Sequence, residues 1–274
     1  MATSPARRAR VGHNEAQMNA PSRILAVANQ KGGVAKTTTV ASLGAALAEA
    51  GHRVLLVDLD PQACLTFSLG IDPEDLELSV HHVLTQGKAA ADVLISTDDG
   101  VDLLPATIEL ARAEADLLTR TGREHVVRMM LEDVPDYDWV LLDCPPSLGV
   151  LTVAALTAAD SVLIPLQCET LSHRGVGQLL DTVHDVRRYT NRALRVEGVL
   201  PTLYDGRTNH ARTVLETISE TYELDVIEPP IPKSIRFAEA PAAGRSILAT
   251  TRKHRGAEAY RAVAENLVRR AAAR

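Results

Sequence analysis

The segment Ala26-Val-Ala-Asn-Gln-Lys-Gly-Gly-Val-Ala-Lys-Thr-Thr-Thr39 constrains this chain more than any other. Ile24 to Ala28 is an apolar run suited to a buried strand, and Thr38 to Glu49 places Leu43, Ala46 and Leu47 at helical spacing. Between them, Gly32 and Gly33 let the backbone turn tightly and aim several N–H groups at one point, with the positive end of the following helix behind them. The ligand such a cradle selects is a polyanion. Lys36 is placed to reach the outer phosphates of a nucleotide, and the Thr37 hydroxyl to take one position on Mg²⁺.

Standard phosphate-loop spacing asks for glycine where this chain has Gln30 and Ala35. As Lys-Gly-Gly-x-x-Lys-Thr, however, the segment meets every position of the deviant Walker A motif, with Lys31 as its extra lysine. It thereby resembles the ParA/MinD class of P-loop ATPases. The resemblance implies an ATP site built from Lys31, Gly32, Gly33, Val34, Ala35, Lys36, Thr37 and Thr38. It also implies that Lys31 reaches across a dimer interface to the nucleotide of the other subunit. Ala35 stands where glycine is commonest, which bears on nucleotide affinity rather than on binding as such.

Two further segments place carboxylates at that cradle. Val54-Leu-Leu-Val57 is a strand that delivers Asp58 and Asp60 at its carboxyl end, where open parallel sheets bind ligands. A carboxylate there can orient an attacking water or bind Mg²⁺ through water. Asp58-Leu-Asp-Pro-Gln62 resembles the switch I segment of the class, which makes Asp60 the water-positioning residue and Asp58 its support. Tyr137-Asp-Trp-Val-Leu-Leu-Asp143 is a buried strand ending in aspartate, as a Walker B element requires, so Asp143 is expected to hold Mg²⁺ through a water. Cys144-Pro-Pro-Ser147 follows and resembles switch II; Cys144, with no basic neighbour in sequence, is a small buried filler rather than a nucleophile.

The 274 residues are 46% hydrophobic, enough for a full core. Their alternating strand and helix patterns favour one α/β domain: a P-loop NTPase domain over residues 23–274, with a mostly parallel twisted β-sheet and helices on both faces. Residues 1–22, with Arg7, Arg8 and Arg10 and no apolar core, exclude an ordinary signal peptide and are expected to be a disordered basic tail, with Met18 an alternative start. Cys64, Cys144 and Cys168 form no metal-ligand spacing and no disulfide framework, which fits a reducing cytoplasm. No apolar run approaches the roughly 18 residues of a membrane helix. A net charge of −6 argues against coating nucleic acid by bulk charge and leaves room for a local patch.

Across Arg23 to Leu267 the blocks Asn29 to Thr39, Asp58 to Gln62, Asp143 to Ser147, Leu166 to Glu169, Tyr204 to Thr208 and Ile231 to Ala240 are similar, in order and spacing, to the ParA/Soj branch of chromosome and plasmid partition ATPases. Ser172-His-Arg-Gly175 departs from it. The resemblance implies an enzyme that binds Mg–ATP and dimerises, then binds nonspecific double-stranded DNA on the nucleoid. Slow hydrolysis, stimulated by a DNA-bound partner of the ParB type, releases it. By the same resemblance Arg207 and Arg236, with Lys233, carry the DNA contact; exposed cations suit backbone phosphates, and pairing with Asp205 and Glu239 is the plain alternative. A MinD-like membrane regulator needs bulky exposed apolar residues on a terminal helix, where Asn266 to Arg274 offers only Leu267 and Val268. An iron–sulfur reductase lacks suitable cysteines, and a metabolic ATP-dependent enzyme stays open.

Overall fold

In the computed structural model residues 22–169 and 172–273 are described. The basic tail expected over 1–22 lies, apart from Ser22, outside the described residues. In chain order the elements are β1 (Arg23–Val27), α1 (Lys36–Glu49), β2 (Val54–Asp58), α2 (Cys64–Ser68), α3 (Val80–Gln86), α4 (Ala90–Val93), β3 (Ile95–Ser96), β4 (Asp102–Leu104), α5 (Leu110–Leu117), α6 (Val126–Glu132) and β5 (Trp139–Asp143). Then follow α7 (Val150–Ala158), β6 (Ser161–Gln167), α8 (Ser172–Tyr189), β7 (Arg195–Thr202), α9 (Asn209–Tyr222), α10 (Arg236–Ala242), α11 (Ile247–Thr250) and α12 (Arg255–Ala272).

The strands form one seven-stranded sheet in the order β3-β4-β2-β5-β1-β6-β7. All neighbours are parallel except the short edge pair β3 and β4. Successive strand side chains point to opposite faces, so a strand buried on both sides is apolar throughout. In β1, Leu25 and Val27 join α1, α11 and α12 on one face, while Ala26, with Ala28 just past the strand, joins α5, α7 and α8 on the other. Gly44 marks the close approach of α1 to the sheet, since a Cβ there would lie 2.6 Å from Leu56 Cδ2.

The connection from β1 runs through α1 on one face toward β2, and that from the adjacent β5 runs through α7 on the opposite face toward β6. Neighbouring strands whose connections leave in opposite directions open a crevice at their carboxyl ends, and ligands bind there. The phosphate loop, Asp58 and Asp143 all sit at that edge.

Helix α10 occupies part of the stretch Pro229 to Pro241, which the prolines alone mark as a stiff turn. Phe237 and Ala240 lie one helical turn apart and both are buried, so packing sets the helix, and Pro241 falls in its last turn. On α12, Leu267 is buried and Val268 packs partly buried against the same core. Neither is offered to a membrane. Among the described residues no helix is long and apolar enough to cross one.

Candidate functional site

The loop after β1 is held from both sides. Asn29 donates through Nδ2 to the Pro165 carbonyl at 2.8 Å and accepts from the Lys31 amide at 3.0 Å. Thr202 Oγ1, at the end of β7, donates to the buried Val34 carbonyl at 2.9 Å. A Cβ built on Gly32 or Gly33 meets nothing within 4 Å, so the cradle faces open space. Helix α1 starts at Lys36 with no side-chain cap and no acidic residue in its first turn. Its first amide groups are therefore available to an anion.

Ala35 carries a price for its place. It precedes α1 at φ 64° and ψ 36°, the left-handed region that a side chain disfavours, at about 1–2 kcal/mol for an L-residue. Because no ligand contact is needed for this strain, Ala35→Gly is expected to raise the melting temperature of the unliganded protein by roughly 2–4 °C, as about 1 kcal/mol does in a chain of this size. An unchanged or lower melting temperature in a thermal-denaturation scan would count against the strain.

Inside the cradle three charged groups share one buried space. Lys36 is 7% exposed, and its Nζ donates to the Lys31 carbonyl at 3.4 Å. Burial lowers the pKa of its ammonium, while Asp143 and then Asp60 pull it back up. Asp58 and Asp143 face each other in register at the ends of β2 and β5, and neither side chain reaches solvent. Burial pushes Asp58 up to about 6, against the lowering effect of its hydrogen bonds from Thr66 and Asp60. Asp143 is raised well above the usual carboxylate range by burial and then by Asp58, with Thr37 and Lys36 opposing.

Among the described residues neither oxygen of Asp143 has a hydrogen-bond partner of normal geometry. A buried carboxylate without partners is costly, and a hydrated divalent cation between it and the Thr37 hydroxyl would satisfy it. The donor set is all oxygen, as Mg²⁺ prefers. The residues present thus fit the cation expected from sequence.

Asp58 is arranged differently. Its Oδ2 accepts from the Thr66 amide at 2.9 Å and from Thr66 Oγ1 at 2.7 Å, and its Oδ1 accepts from the Asp60 amide at 3.2 Å. Thr66 Oγ1 in turn accepts from the Ala106 amide at 2.9 Å. Asp58 is thereby a fastening for the loop that carries Asp60. Asp60 accepts from the Gln62 amide at 2.9 Å through Oδ1. Cys144 is fully buried, and burial raises its thiol pKa, with Asp143 adding to it. That agrees with a filler.

Lys31 sits at the rim, where its Nζ contacts the Glu169 carboxylate. Glu169 was not singled out from sequence as its partner, since 138 positions separate the two. The proposed DNA-contacting residues lie on the loop after β7 (Arg207), on the segment before α10 (Lys233) and at the first position of α10 (Arg236); the two segments are joined by backbone bonds, Tyr204 N–H to the Ile231 carbonyl at 2.9 Å and Lys233 N–H to the Tyr204 carbonyl at 3.3 Å. Arg207, with its side chain 90% exposed, pairs with Asp205 at 2.8 Å; Arg236 pairs with Glu239 at 2.6 Å; Lys233 is exposed. Hydrogen bonds from Arg207 hold the Asp205 carboxyl down at about 2. The pairing alternative is thus realised in the unliganded chain, although such exposed pairs contribute little stability.

A family model described as an AAA domain matches residues 22–196. The sporulation initiation inhibitor protein Soj of Bacillus subtilis is 45% identical over 240 residues, which are 87% of this chain and 95% of that protein. The chromosome partitioning protein ParA of Myxococcus xanthus is 40% identical over 250 residues, 90% of this chain and 88% of that one. Among solved structures, the cobyrinic acid a,c-diamide synthase of Mycobacterium smegmatis with bound ADP and magnesium superposes with a TM-score of 0.82 at 56% identity, covering 90% of this chain and 94% of the other.

Proposed function

Because this chain belongs to the ParA/Soj family of P-loop partition ATPases, we propose that it is an ATP-driven DNA-segregation switch. It binds Mg–ATP in the loop from Lys31 to Thr38 and dimerises with Lys31 directed at the partner's nucleotide. The dimer binds nonspecific DNA through Arg207, Lys233 and Arg236, and leaves it after hydrolysis stimulated by a DNA-bound partner of the ParB type. The observation that carries the reading is the orphaned Asp143 carboxylate beside Thr37 and the uncapped start of α1. Together they ask for a metal-bound polyphosphate. Bound Mg²⁺ would supply charge neutralisation on the phosphate oxygens; Lys36 binds them and Asp60 holds the attacking water.

For DNA, phosphates displace Asp205 and Glu239 from their arginines at little cost, since exposed ion pairs are weak. The expected result is DNA binding with a nonhydrolysable ATP analogue, and none with ADP or without nucleotide. Sizing should show a dimer in the analogue alone. A dimer presents these three cations twice, so affinity should fall about a thousandfold between roughly 50 and 200 mM salt. Arg207→Glu with Arg236→Glu should abolish DNA binding and leave the analogue-dependent dimer intact. DNA binding that ignores nucleotide, or that survives both substitutions, refutes the assignment of this surface.

A second reading is favoured by the name of the 56%-identical Mycobacterium smegmatis structure, cobyrinic acid a,c-diamide synthase. On that reading the cradle would activate a substrate carboxylate for amide formation. The two separate cleanly: ADP release stimulated by DNA and a partner protein supports segregation, whereas release that requires a small carboxylate and a nitrogen donor supports amide synthesis.

A further inference from the structure

We propose that Arg174 is a second cation acting across the subunit interface, meeting with Lys31 the nucleotide held by the other copy. This rests on the ATP-dependent dimer proposed above. A cavity of about 500 Å³ opens at the outer rim of the phosphate loop. Gln30 and Lys31 of the loop, Pro146 of the turn after β5, and Arg174 and Gln178 of α8 line it. Among the described residues that line it, none is acidic. Its charged lining residues are two cations, on a chain whose net charge is −6.

The two cations are not in the same condition. Lys31 is neutralised within its own subunit by Glu169. Arg174 is exposed, and among the described residues it has no ion-pair partner. It stands in the first turn of an 18-residue helix that has no acidic residue in that turn. The dipole disfavours a positive charge there. A cation placed against the dipole, beside a second cation and without a carboxylate, gains most from an anion brought in from outside.

That anion is the polyphosphate of a second copy. The chain's own phosphate space is served from the inner side by Lys36 and Thr37, which face Asp143. Arg174 is on the other side of the loop, where α8 packs so closely that a Cβ on Gly175 would lie 3.3 Å from Asn29 Oδ1. In hydrolysis water attacks the terminal phosphorus, the bond to the ADP oxygen breaks, and ADP and phosphate leave. Arg174 moves no proton in this step. It offsets the negative charge on the transferring phosphoryl group, as a cation supplied in trans does in other phosphate-loop enzymes.

The test uses Arg174→Ala and Arg174→Lys in the full chain, with circular dichroism and thermal melts to establish folding. Arg174→Ala should need at least about tenfold more protein to dimerise in the ATP analogue and should hydrolyse ATP at least about tenfold more slowly. Arg174→Lys, which keeps the charge without the planar fork, should fall between it and the parent. The deciding experiment mixes Arg174→Ala with Asp60→Ala, each at a tenth of the parent rate or less when alone. A mixed dimer then holds one complete site, with Asp60 from one copy and Arg174 from the other. Equal mixing should restore about a quarter of the parent rate, since half of random dimers are mixed and each has one site of two. Parental activity of Arg174→Ala, or no recovery on mixing, overturns the proposal. A parent chain that stays monomeric with the ATP analogue overturns the dimer reading itself, and that is seen before any variant is made.

Discussion

Lys36→Ala is expected to lose ATP binding by at least about a hundredfold, because each charge-assisted hydrogen bond from its ammonium to a phosphate contributes about 1.5–3 kcal/mol. The fold has already prepared this group. Lys36 begins α1, is almost fully buried, and is the cation that faces Asp143 and Asp60. Without it, an incoming polyphosphate would meet two carboxylates and no opposing charge on the inner side of the cradle. Lys31 does not replace it, since its side chain lies at the rim against Glu169. The unliganded variant should still fold. Removing Lys36 relieves the burial of a cation and at the same time leaves Asp143 with less compensation, so the two changes oppose each other. Isothermal titration with ATP and Mg²⁺ checks the prediction, and an affinity within threefold of the parent would remove Lys36 from the phosphate site.

The parts of this site that were legible in the sequence share a physical cause. Asp58 and Asp143 each end a short apolar strand, and a parallel sheet brings such ends to one edge; the observed register sets them opposite each other. The glycine turn between β1 and α1 is likewise a local feature that sequence spacing expresses. What sequence could not express is pairing over long separations. Thr66 fastens Asp58 and is itself bonded by Ala106, 40 positions away, through side-chain geometry that no spacing rule encodes. Lys31 and Glu169 meet only because β1 and β6 are neighbours.

The strained Ala35 is a third case. Its position in the motif tolerates several residues, and only the backbone dihedral shows why glycine suits it. In α10 the prolines around Phe237 obscured a helix that tertiary packing stabilises, a common way for propensity to be overridden. Arg207 stands just before the start of α9, where the helix dipole disfavours a cation, and it holds Asp205. That carboxylate offsets the dipole penalty, through a pairing that the sequence offered only as an alternative.

Asp60→Ala should keep ATP binding and the ATP-dependent dimer while losing hydrolysis by about a hundredfold or more, the range in which a positioned acid–base group acts. The two aspartates look alike in sequence, yet the structure gives them different hydrogen-bond surroundings. Asp58 has its oxygens engaged by Thr66 and by the Asp60 amide and has no free edge to offer a water. Among the described residues Asp60 accepts a hydrogen bond at Oδ1, from the Gln62 amide, and none at Oδ2, the oxygen proposed to hold a water. The substitution spares the loop, because the bond that anchors it to Asp58 comes from the Asp60 backbone amide and survives in alanine. Binding should be spared as well, since the proposed phosphate contacts are Lys36 and the amides of α1. Single-turnover hydrolysis at saturating ATP, with sizing of the analogue-bound form, reads both halves. If Asp60→Ala dimerises and hydrolyses ATP at the parent rate, the water is held by another group, and Asp60 serves only to shape the turn before Pro61.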